Sequence, residues 1–74
     1  MRTLADLKLG ESGTVKKFNS DPIVKRNCMM QGMIKGSQVT YSAKNPFGDP
    51  RVYTVNSTKI SLRIAEAETI LLED

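Results

Sequence analysis

The 74-residue sequence predicts a mainly β fold, a small β-barrel of about five short strands with one inserted short helix. Three observations predict it. Apolar and polar residues alternate through 38–44, 51–55 and 58–64. Glycines, prolines and Asn/Asp/Ser clusters punctuate the chain at close intervals. A single strong helix-start signal, Asn19-Ser20-Asp21-Pro22, occurs. A closed sheet would remove most of the strand edges that so small a β protein would otherwise expose.

The elements follow in order. Leu4 and Leu7 share one face of a single helical turn that Thr3 or Asp6 can cap. Gly10 and Gly13 bracket a turn. Residues 12–18 read as a strand with Val15 inward, Phe18 a second inward choice, and Lys16 and Lys17 near the surface. Asp21 is the predicted N-cap of a helix from Pro22 to Gln31, with Pro22 at its first position and Gly32 as its stop. Val24 and Cys28 lie at i, i+4 and share a face, while Ile23 and Met30 form an adjacent stripe. With Val24 and Cys28 inward, Met29 and Met30 cannot both be fully buried.

Residues 33–36 form an apolar turn. Strand 37–44 puts Val39, Tyr41 and Ala43 on one side, and strand 51–55 sets Val52 and Thr54 opposite Tyr53 and Val55. Asn56-Ser57 is a short turn. Strand 58–64 aligns Ile60, Leu62 and Ile64, residues 65–68 form a brief helical turn, and 69–72 a last strand. Residues 1–74 are expected to form one domain, without repeat or linker. So small a domain buries only roughly 60% of its unfolded-chain surface, so its core must be efficient.

The loop Asn45-Pro46-Phe47-Gly48-Asp49-Pro50-Arg51 is neither helix nor central strand. Its two Asx-Pro pairs stiffen it. Phe47 at its tip has two expected roles, folding back over the barrel end or touching a partner.

Composition limits the chemistry. One cysteine cannot form an internal disulfide, and there is no histidine, so a structural zinc site and the commonest general base are both missing. No Walker, G-x-S-x-G or G-x-G-x-x-G motif occurs. No catalytic residue, metal site or cofactor is expected. Cys28, Met29, Met30 and Met33 could offer soft ligands, but neighbouring helical residues point in different directions, and core packing is the expected role. Net charge is +3, and the 11 basic residues are scattered along the chain, which fits a mixed-charge surface better than a nucleic-acid footprint. No apolar run approaches the roughly 18 residues of a membrane span, so direct membrane insertion is not expected.

Four ordered segments carry a family resemblance: LADLKLGESGTV (4–15), QGMIKGS (31–37), NPFGDP (45–50) and LRIAEAETI (62–70). Together they resemble the ferrous iron transport protein A family, FeoA, over nearly the whole chain. The resemblance implies an SH3-like barrel with an inserted helix. It implies a non-enzymatic cytoplasmic accessory protein of bacterial ferrous iron uptake, held near the inner membrane through its partner. That partner would be the membrane GTPase transporter FeoB, met on its cytosolic side; iron binding by the chain itself is not implied. A similar barrel closes the iron-dependent repressors. Gln31, Lys35 and Asn56-Ser57 depart from the family pattern, and the helix surface is where such changes bear on a partner. The expected contact residues are Met29, Met30, Phe47, Asp49 and Arg51. A self-associating module and a nucleic-acid-binding barrel are the alternatives, the first separable by light scattering and the second by a continuous basic face.

Overall fold

The computed structural model describes residues 1–73. Five antiparallel strands run in the order β4-β3-β2-β1-β5. They are β1 (Ser12–Phe18), β2 (Gln38–Lys44), β3 (Arg51–Val55), β4 (Thr58–Leu62) and β5 (Ile70–Leu72). Helix α1 (Pro22–Met30) joins β1 to β2, and a four-residue helix α2 (Ile64–Ala67) joins β4 to β5. A 3-10 turn at Leu4–Asp6 precedes β1. The fold is the mainly β one that the alternation predicts.

The hydrogen-bonded ladder does not close on itself, since β4 and β5 are its two ends. The N-terminal segment lies against the free side of β5 instead: Thr3 pairs with Leu71, and Leu72 N donates to the Arg2 carbonyl at 2.9 Å. Every element contributes to one core. Leu4, Val15, Cys28, Met33, Val39, Tyr53, Ile60, Ile70 and Leu72 are essentially inaccessible. Two ladder irregularities curl the sheet, one between Val15 and Lys17 and one between Tyr41 and Ala43.

Local signals set the element ends. The Asp21 carboxylate accepts from Ile23 N and Val24 N, both at 3.0 Å, with Pro22 at the first helical position. The helix ends at Met30, one residue before the expected Gln31, which is the C-cap; Gly32 follows at φ +96°, a conformation open to glycine.

Two expectations are corrected. Ala43 is exposed rather than inward, because the irregularity after Tyr41 breaks the two-residue alternation. Ile64 does not continue β4. The strand stops at Leu62, and Ile64 opens α2 with its N–H bonded to the Asp49 carboxylate at 2.9 Å. The aligned Ile60, Leu62 and Ile64 therefore split between a strand and a helix, with Ile64 half-buried.

Candidate functional site

The loop between β2 and β3 is held by its own short polar residues. Asn45 Oδ1 accepts from Phe47 N at 2.9 Å, and Gly48 N donates to the Asn45 carbonyl at 2.8 Å. This is an Asx turn closed by a backbone turn, with Gly48 at φ +85°. The result is a preorganised tip. Phe47 does not fold over the barrel end, because its side chain is 93% exposed.

Asp49 and Arg51 are tied into the molecule. Asp49 caps the first N–H of α2 through Ile64. Its second oxygen lies 4.0 Å from Arg63, an exposed ion pair worth little by itself. Arg51 Nη1 donates to the Ala5 carbonyl at 2.9 Å, and its guanidinium stands 4.9 Å from the Tyr41 ring centroid. Tyr41 and Tyr53 pack with ring centroids 5.3 Å apart, and the Tyr53 hydroxyl donates to the Leu4 carbonyl at 3.3 Å. Burial pushes the Tyr53 phenol above its ordinary value, against the pull of Arg51. These contacts fix the loop's base and leave Phe47 exposed at its tip.

On α1, the sulfurs part company. Cys28 and Met33 are buried, whereas Met29 and Met30 face solvent, with Met30 76% exposed. The four do not converge on one point, and among the described residues no cluster of His, Cys, Asp or Glu could hold a metal ion. Burial, with Glu66 nearby, pushes the Cys28 thiol up, so it stays a protonated core residue. Ile23 is also exposed, so the outer side of α1 carries three unpartnered apolar side chains.

Two shallow grooves flank this face. One, of about 410 Å³, is lined by Pro22, Lys25, Arg26, Met29 and Met30. The other, of about 480 Å³, is lined by Lys16, Lys17, Phe18, Lys25, Met29 and Lys35. Phe47 lines neither. The second groove corrects the picture of scattered charge, since four lysines from three parts of the chain meet around it. Lys16 and Lys17 are neighbours on a strand and would normally point to opposite faces. The irregularity between Val15 and Lys17 suspends that alternation, and both line the groove. Sequence reasoning missed this because an irregularity depends on pairing with β5; the adjacent lysine pair was its visible trace.

Known proteins share this architecture. A profile described as the FeoA domain matches residues 2–74. The FeoA protein of Chlorobium tepidum, solved by NMR, superposes with a TM-score of 0.90 at 30% identity, over 96% of this chain and 68% of that one. Stenotrophomonas maltophilia FeoA superposes with a TM-score of 0.84 at 30% identity, over 99% of this chain and 91% of that one. That protein was crystallised with zinc and is described as a prokaryotic SH3 domain protein and a candidate activating factor of bacterial ferrous iron transport. A manganese-dependent transcriptional repressor superposes with a TM-score of 0.82 at 24% identity, over 96% of this chain and 40% of the repressor, a likeness of fold alone. No curated protein matched the sequence. With a family profile spanning almost every residue and an SH3-like relative superposing along the whole barrel, the chain belongs to the FeoA family of small ferrous iron transport proteins.

Proposed function

We propose that this protein is a one-domain, non-enzymatic cytoplasmic adaptor that binds a FeoB-like membrane GTPase transporter on its cytosolic side and modulates iron uptake. Family membership supplies the transport context. The observation that carries the adaptor reading is the exposure of large apolar side chains on ordered elements: Phe47 at 93% on a closed turn and Met30 at 76% on α1. Held in water, such side chains cost free energy that a partner recovers, and a preorganised loop loses little entropy on docking. Methionine adds adaptable contact area. In this reading Met29, Met30 and Phe47 touch the partner, while Asp49 and Arg51 work through the loop, orienting Phe47 and leaving one Asp49 oxygen at the rim.

The test is an NMR titration of the labelled protein with the soluble GTPase domain of the transporter. Amide shifts centred on 23–33 or 45–51 are expected, and Phe47→Ser or Met30→Ser should weaken binding by about tenfold, an anchor's share of an interface. Both variants should keep their stability within about 0.5 kcal/mol, because the side chains contribute nothing to the core. No shifts at high partner concentration would sink a direct interaction with that domain. A molecular mass that rises with concentration in light scattering would favour self-association.

A further inference from the structure

The second groove carries more than an adaptor face requires. Its floor is apolar, formed by half-buried Phe18 and by Met29, and its rim is four lysines, Lys16, Lys17, Lys25 and Lys35. Among the described residues no carboxylate lines it. Five acidic side chains are occupied elsewhere: Asp6 and Glu11 accept backbone N–H groups around the first turn, Asp21 caps α1, and Asp49 and Glu66 cap α2. The two ion pairs among the described residues, Arg2–Glu11 and Arg63–Asp49, involve no lysine. A chain of net charge only +3 thus gathers four lysines around one apolar depression.

We infer that this groove takes an acidic amphipathic segment of a partner protein, with one bulky apolar side chain seated on Phe18 and Met29 and flanking carboxylates facing the lysines. The charge complementarity selects an anionic occupant. The recessed floor selects a side chain, since a polyphosphate backbone alone would leave it empty and a bilayer engages protruding side chains rather than a hollow. Exposed lysine–carboxylate pairs contribute little individually, so the apolar contact supplies affinity while the lysines set specificity and encounter rate. Lysines act as flexible point charges, so the carboxylate spacing in the segment need not be exact. The inference deepens the adaptor reading and rests on it only for which protein carries the segment.

The probe is a synthetic peptide with a Phe-Leu pair flanked by glutamates, titrated into the full-length labelled protein. A counterpart with glutamine for every glutamate and vesicles of phosphatidylglycerol serve as comparisons. The acidic peptide should shift the amides of 16–18, 25–29 and 35. Binding should weaken by about tenfold for the glutamine peptide and for the Lys17→Glu/Lys35→Glu variant, and should fall with added salt. Both lysines are exposed, so the variant should melt at the unchanged midpoint. The inference is overturned if the acidic peptide causes no shifts, if the shifts lie elsewhere, or if the glutamine peptide binds equally well. It is also overturned if vesicles bind and the peptide does not, or if the same amides shift with protein concentration alone, which would make a second copy the occupant. Titration with the GTPase domain separates the two readings. Domain binding through 45–51 together with no peptide shifts removes the groove and keeps the adaptor; peptide binding without any binding of that domain keeps the groove and removes a direct interaction with that domain.

Discussion

Arg51 reaches across 46 positions to bond the carbonyl of Ala5 at 2.9 Å, clipping the N-terminal turn to β3. The same guanidinium packs on Tyr41, which packs on Tyr53, which bonds Leu4 in that turn. Arg51 Nε is buried without a partner, a cost that offsets part of the gain. Arg51→Ala should lower the unfolding free energy by about 1–3 kcal/mol. Arg51→Lys should recover little of it, because an ammonium lacks the planar fork that bonds and stacks at once. Urea denaturation measures both, and an unchanged midpoint for Arg51→Ala would refute the clip.

Gly13 sits where the core leaves no room for a side chain. A Cβ there would lie 2.7 Å from Leu72 Cδ1, and Leu72 is fully buried. Gly13→Ala should therefore destabilise by about 1–3 kcal/mol through overpacking. Placed in a Leu72→Ala background, the same change should cost measurably less, because the clashing methyl is gone. A double-mutant cycle with no coupling would show that the glycine serves something other than close approach.

The hairpin between β3 and β4 turns on Asn56 and Ser57, both at positive φ, 49° and 67°. This two-residue turn matches the strand twist, but serine pays a steric cost there that glycine avoids. Ser57→Gly should raise stability by about 0.5–1 kcal/mol, seen as a higher thermal midpoint. A lower midpoint would mean the serine side chain contributes more than its conformation costs.

Cys28 and Tyr53 make stability fall at alkaline pH. Burial is the main reason that both hold their protons more tightly in the folded chain than in the unfolded one. Their contributions are complete below the unfolded values, about 8.5 for cysteine and about 10 for tyrosine. As pH rises past these, the unfolded chain releases protons that the folded chain keeps, and stability declines until the folded values are passed. Urea midpoints should drop above about pH 8.5, and Cys28→Ala should delay the onset toward the tyrosine range. In native protein, Cys28 should react with Ellman's reagent only at the rate of unfolding. A midpoint that stays level to about pH 10.5 would contradict both assignments.

Much of the barrel was readable from local pattern. Helix α1 was legible because Asp21 caps N–H groups within three residues and Pro22 opens the first turn, whereas Gly13, read as the end of a turn, lies inside β1 opposite Val39. Helix geometry allowed only that Met29 and Met30 could not both be buried once Cys28 was placed inward; core packing was their expected role, and the fold leaves both exposed. The start of α2 was not legible, because the carboxylate that caps Ile64 belongs to Asp49, 15 residues away. Asp49 and Arg51 looked like free loop charges for the same reason: their partners, Ile64 and Ala5, are remote in sequence.

The sequence by itself determined most of the strand faces, the position of the helix, the stiffness of the loop at 45–51 and the family, because period, caps and turn residues act over a few positions. Only the tertiary structure decided that Phe47 stands in solvent and that Ala43 turns outward. It also decided that Lys16, Lys17, Lys25 and Lys35 share one groove. The direction of a loop and the site of a strand irregularity are set by which strands pair, and pairing is a property of the whole sheet rather than of any window along the chain.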